Sequence, residues 1–268
     1  MITNGGQFLA MEKIDTSVNE MRCLPMCVGE IPGTQCFHVT VPANESFKLP
    51  SDQAHYNIFI LVEGECTMYS GKTVSEFSER VTFVPAPEED MTIKAKTKVQ
   101  LLQIVWDITE EDVKLRLDYG TEFPLIKPYA TAIQYVDPNK SPKTISRMMI
   151  PHKIIPRFAI GSVESYGYDY VKPHAHPMLD QYFFSFPENS MELIINGEKI
   201  AMGGNEMVHI PLGAEHGVEV TGTDHLHYMW IDFLPDNDAG LKRLEASHKP
   251  TGTVRDLEKE DKFRNNDK

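Results

Sequence analysis

The chain is poor in cysteine, in basic residues and in long apolar runs, and each shortage excludes something. The four cysteines, Cys23, Cys27, Cys36 and Cys66, all fall in the first quarter of 268 residues and lack paired CxxC spacing. That is neither a zinc-ribbon pattern nor the density of a secreted disulfide scaffold. They read as reduced thiols, mostly structural. No apolar run approaches the ~20 residues that span a bilayer. The opening MITNGGQFLAMEKIDTS has no basic region followed by an apolar core, so a cytoplasmic protein is the expectation. Lys and Arg number 26 against 39 Asp and Glu, a net charge of -13. From Asp236 onward eight basic residues balance eight acidic ones, so the excess lies on the body of the chain. Such a body repels polyphosphate, which argues against nucleic acid and anionic membrane as partners and leaves a small molecule.

Helical periodicity is scarce as well. Strand signals dominate: FHVTV, NIFILV, CTMYS, VTFVP, VQLLQIVW, then RFAIGSV, QYFFSF, MELIIN, MVHIP and LHYMWIDF, separated by Gly, Pro, Asn and Asp. Short strands with frequent turns predict an all-β protein of barrels or sandwiches. The length suits two domains at about 150 residues each.

The chain also repeats itself. NIFILVEGE from Asn57 and VPAPEED ending at Asp90 stand 33 positions apart from first to last residue, and Gln181 to His216, bounding QYFFSF and IPLGAEH, spans 35. Between the copies these elements are displaced by 124 and 126 positions, which predicts a tandem β-domain. The expected division is an N-terminal barrel over 1–125, a Pro-rich linker over 126–145, a C-terminal barrel over 146–235 and a polar tail over 236–268. A helix is expected around AGLKRLEASHK, with disorder after it. A short helix is also expected in EEDVKLRLDYG.

One constellation reads as chemistry: His174 and His176 in KPHAHP, Gln181, and His216 in IPLGAEHG. Two histidines one residue apart on a strand point to the same side. A third arriving behind a Pro-x-Gly-x-x-His turn completes a nitrogen set for one divalent transition metal (Zn, Fe, Mn, Ni or Co), with the Gln181 amide oxygen beside it. Asp180 is the rival fourth ligand.

These residues resemble the cupin superfamily, specifically a bicupin. Its first motif carries His-x-His, three or four residues, then Glu, and its second carries Pro-x-Gly-x-x-His. His174, His176 and His216 match the histidines, and Gln181 stands at the Glu position. The chain departs from the pattern at Gly167 and Gly204, one residue off the usual glycine spacing, at Gly197, which closes the first motif late, and at Val220 in place of Asn. The resemblance implies two tandem cupin-type β-barrels (double-stranded β-helix, jelly roll) and a homodimer. In the first copy Asn57 and Asp90 replace the Glu and the last histidine, implying a barrel without metal. PHAHPMLDQYFFSF, HIPLGAEHGV and HYMWIDF further resemble the uronate ketol-isomerases acting on 4-deoxy-5-ketouronates and 5-deoxyglucuronate. The glutamine is similar to that of bicupin isomerases of antibiotic biosynthesis.

A metal held by neutral imidazoles and an amide keeps its charge and polarises a carbonyl beside a hydroxyl. The leading expectation is a metal-dependent isomerase or epimerase of a small hydroxy-carbonyl compound such as a sugar acid. The alternatives are a ferrous dioxygenase and a non-catalytic small-molecule-binding module. Candidate catalytic bases are His227 and His209, with His225 and Glu192 as further possibilities. Tyr182, Phe183, Phe184 and Phe186 read as barrel packing, and Glu88, Glu89 and Asp90 as a solvated loop.

Overall fold

The computed structural model describes residues 2–4, 7–222 and 224–256. Two compact units emerge, one of Glu12–Ala130 with Lys153–Pro156, the other of Met1–Met11, Thr131–His152 and Arg157–Lys268. Each is built on a pair of antiparallel sheets, and the second also carries the antiparallel pair Ile2–Asn4 with Gln7–Leu9.

In the first unit a six-stranded sheet runs in the order Leu125–Pro128, Val81–Val84, His55–Glu63, Val99–Asp107, Thr34–Val41, Arg22–Met26. A four-stranded sheet runs Ser46–Leu49, Met91–Ala95, Cys66–Ser70, Thr73–Phe77. Alternate residues of both sheets, including Phe59, Leu61, Met68, Phe83, Ile93 and Leu101, close one core. The helix Glu110–Tyr119 follows Thr109, whose side chain accepts from the Asp112 amide while Asp112 reaches back, a reciprocal cap. Gly120 ends it at φ 65, a left-handed stop.

The second unit repeats the plan. Its long sheet runs Lys249–Pro250, Ile133–Val136, Ile145–Ile150, Phe158–Tyr166, His225–Phe233, Asp180–Ser185, Glu206–Ile210. Beyond the last of these, the Ala10 carbonyl accepts from the His209 amide. A four-stranded sheet runs Asp169–His174, His216–Val220, Met191–Ile195, Glu198–Met202. Val163, Phe183, Leu193, Val208, Val218, Leu226 and Trp230 are among the residues that close this core. The repeat is visible in the pairing: the strand carrying Asn57 lies between Val81–Val84 and Val99–Asp107, and that carrying Gln181 between Glu206–Ile210 and His225–Phe233.

The expected domain limits need correction. The stretch read as a linker over 126–145 contributes strands to both units. Leu125–Pro128 pairs with Val81–Val84 at the first unit's edge, where Pro128 costs no central ladder bond. Ile133–Val136 pairs with Ile145–Ile150 in the second unit. Nor is the chain after 235 merely a polar tail. Helix Asn237–Ser247, capped by the Asp236 carboxylate on the Ala239 amide, buries Leu244 in the second core. The end expected to be disordered, 257–268, lies outside the described residues. Among the described residues, no helix is long and apolar enough to cross a membrane.

Candidate metal centre

His174 closes its strand, His176 sits in the loop that follows, and His216 opens the strand paired with the first, directly opposite His174. The one-residue spacing therefore brings the pair together at a strand end rather than within a strand. Ring centroids stand 4.7 Å apart for His174 and His176, 4.8 Å for His174 and His216, and 5.2 Å for His176 and His216. One nitrogen from each ring lies within 4.8 Å of the others.

Backbone carbonyls fix two of the rings. His174 Nδ1 lies 2.7 Å from Lys172 O, and His216 Nδ1 lies 3.0 Å from Ala214 O. Each Nδ1 thus carries the proton, and each Nε2 keeps its lone pair. Burial favours the neutral form of all three rings. It lowers His174, and it takes His216 down to about 4 with help from the neighbouring His174. His176 falls to about 2, through burial and then the proximity of His216 and His174.

Gln181 lines the same cavity. Its Nε2 donates to Asp232 Oδ1 at 2.5 Å across the paired strands, while its Oε1 is buried with no hydrogen-bond partner. His176 Nδ1 is likewise buried and unpartnered. Two orphaned lone-pair atoms beside two oriented imidazoles are what an oxygen- and nitrogen-liganded metal would satisfy, since buried polar groups are seldom left unpaired. Asp180 faces the other way, its Oδ1 lying 3.6 Å from His209 Nε2.

The cavity also holds groups that no sequence pattern signalled. Asp232 is buried, which raises its carboxyl to about 7 against the opposing influence of Gln181 and Lys140. Burial lowers Lys140 to about 8 although Asp137 and Asp232 oppose it. Its Nζ donates to Tyr135 Oη at 2.8 Å, which also accepts from Trp230 Nε1 at 3.0 Å. Arg243 and Leu244 arrive on the helix Asn237–Ser247, followed by His248.

The candidate bases go elsewhere, which corrects the sequence reading. Along His225–Phe233, Leu226, Tyr228 and Trp230 enter the core, so His225 and His227 project from the opposite face of the sheet. There Arg147 Nη1 lies 2.5 Å from Glu164 Oε2, His225 Nε2 lies 3.6 Å from Glu164 Oε1, and His227 Nδ1 lies 2.5 Å from Glu188 Oε1. Burial alone would raise Glu164, yet the neighbouring His225 and the charges of His227 and Arg147 bring it to about 2. His209, between the inward Val208 and Ile210, packs on Tyr182 on that outer face. Glu192 is an exposed partner of Lys199 at 3.0 Å. In the first unit, His55 pairs with Asp52 at 2.7 Å, and Asp90 Oδ1 accepts from the Ser51 amide at 2.8 Å.

Comparison of the sequence with protein-family models finds no match. Comparison with curated proteins finds none either. Solved structures do resemble the fold. A cupin 2 conserved barrel domain protein from Leptotrichia buccalis aligns over 82% of this chain and 92% of its own, with TM-score 0.55 and 12% identity. Oxalate decarboxylase from Bacillus subtilis aligns over 88% and 77%, with TM-score 0.59 and 11% identity. A salicylate 1,2-dioxygenase from Pseudaminobacter salicylatoxidans aligns over 89% and 82%, with TM-score 0.61 and 10% identity. At such identities the likeness speaks for architecture, and with the repeated sheet pairs it identifies the fold as two tandem cupin-type β-domains.

Proposed function

We propose that the second unit is a metal-dependent enzyme that removes a proton from the carbon beside the carbonyl of a small hydroxy-carbonyl compound and returns one to the adjacent carbon, as an isomerase, or to the same carbon, as an epimerase. The observation that carries this reading is the convergence, in one cavity, of three neutral imidazoles, the unpartnered Gln181 Oε1 and the buried Asp232 carboxylate. His174, His176 and His216 would hold the metal, with Gln181 as an oxygen ligand. A bound divalent metal supplies Lewis acidity toward a carbonyl oxygen.

The chain's own residues supply the rest. Gln181 would couple the metal position to Asp232 through one hydrogen bond, which fixes its Nε2 on the carboxylate and leaves its buried Oε1 as the free lone-pair atom. Asp232, on the cavity wall, is the group we assign to take a proton from the hydroxyl-bearing carbon and, in isomerisation, return it to the former carbonyl carbon, while the hydroxyl proton passes to the former carbonyl oxygen. Leu244, Trp230 and Phe183 line the walls and limit water. The base role expected of His227 and His209 passes to Asp232 because neither histidine lines this cavity.

The test is proton exchange. Protein loaded with zinc or manganese is incubated without oxygen in D2O with a panel of short aldoses, ketoses and hydroxy acids, and NMR follows loss of the C–H signal beside the carbonyl. The reading expects metal-dependent exchange that Asp232→Asn abolishes while metal stays bound. Oxygen uptake by the iron-loaded protein with no exchange would replace it with the dioxygenase reading.

A further inference from the structure

Arg243 is the cavity's least explained group. Its Nε is buried and has no hydrogen-bond partner, and the side chain lines the wall shared with the three histidines. Lys140 lines the same cavity, its ammonium nearly enclosed and bound to Tyr135 Oη at 2.8 Å, with Asp137 Oδ2 at 3.8 Å. The acidic groups facing this pair are Asp137 and Asp232, and Asp232 is turned to Gln181. Lys140 and Arg243 thus share the cavity with the acidic side chains Asp137 and Asp232. A divalent metal on neutral ligands would add positive charge there, which a substrate anion would offset.

Resting on the metal-dependent reading above, we propose that the substrate is a small carboxylic acid whose carboxylate is held by the Arg243 guanidinium, with Lys140 as the second cation. Guanidinium meets carboxylate with paired parallel N–H donors, which satisfies the orphaned Nε and fixes the substrate's orientation. The carbonyl or hydroxyl next to the carboxylate is thereby turned toward the histidines and the proton-bearing carbon toward Asp232. The helix Asn237–Ser247 is thus the element that selects the substrate, since it brings Arg243 and Leu244 together.

Calorimetry on the full chain separates this proposal from the metal assignment. Acetate, lactate and glycerate, each paired with its neutral amide, are titrated into metal-free and cobalt-loaded wild type and Arg243→Gln. The expected result is that at least one acid binds ten times or more tightly than its amide, and that Arg243→Gln removes this preference in both metal states while cobalt still binds one per chain. Equal affinity for acids and amides, or an unchanged preference in Arg243→Gln, overturns the proposal. Failure of cobalt to bind wild type overturns the metal reading alone, because the metal-free titrations still decide the role of Arg243.

Discussion

Glu164→Gln offers a test of how the second unit is held together. Glu164 and Arg147 pair at 2.5 Å with side chains 10% and 8% exposed, and His225 and His227 stand on the other side of the carboxylate. Its pKa falls from 4.5 to about 2. That shift corresponds to about 3 kcal/mol of preference for the ionised form, the lower end of the ~3–5 kcal/mol seen when one member of a buried ion pair is removed. The amide keeps the volume and leaves Arg147 facing a neutral group. With a urea dependence of ~2–3 kcal/mol/M, the midpoint should fall by about 1 M or more. Trp230 lies in the same unit as Glu164. In a Trp106→Phe background it is the sole tryptophan, and its fluorescence follows that unit. The sign against pH also follows. The folded-state pKa lies below the unfolded one, so the stabilisation is complete above about 4.5 and disappears as pH falls through about 2. The difference between wild type and Glu164→Gln should narrow across that window. A loss under 1 kcal/mol at pH 7, or a difference that stays constant from pH 4.5 to 2, would refute the reasoning.

Two further outcomes are expected from the first unit. Burial, with Arg22 nearby, lowers His38 from 6.5 to about 4. The folded unit therefore resists a protonation that the unfolded chain accepts, and about 3 kcal/mol of stability present above pH 6.5 is lost as pH falls toward 4; urea midpoints of His38→Leu should be flatter over that range than those of wild type. Cys23 is exposed, whereas Cys27, Cys36 and Cys66 are buried with thiols pushed up to about 12, well above the usual value, and to about 11 respectively. A colorimetric thiol reagent at pH 8 should titrate one thiol in the folded protein and four in urea.

The tandem plan and the histidine set were legible in the sequence because both are local. A repeat keeps its spacing, and a His-x-His pair with a Pro-x-Gly-x-x-His turn keeps its geometry even when His176 leaves the strand. The base assignment failed for a physical reason. In HLHYMWIDF both alternating sets are apolar: Leu226, Tyr228 and Trp230 on one side, Met229, Ile231 and Phe233 on the other, all buried. Period two then separates the faces without saying which is the interior. The same ambiguity in EMVHI misplaced His209. Pairing with the strand of Gln181 sets the face of Asp232, and such register is not written in either strand alone. Arg243 and His248 were hidden by the polarity of their segment, which looked like tail because only Gly240, Leu244 and Ser247 of its helix are buried.

His174, His176 and His216, with Gln181, are proposed to form one metal site in the second unit, separate from the Glu164, His225 and His227 cluster on the sheet's other face. Elemental analysis of freshly purified wild type, His216→Ala and His227→Gln at known protein concentration tests this assignment most directly. Close to one divalent transition metal per chain is expected in wild type and in His227→Gln, and almost none in His216→Ala. Equal metal in wild type and His216→Ala, or loss confined to His227→Gln, would contradict it.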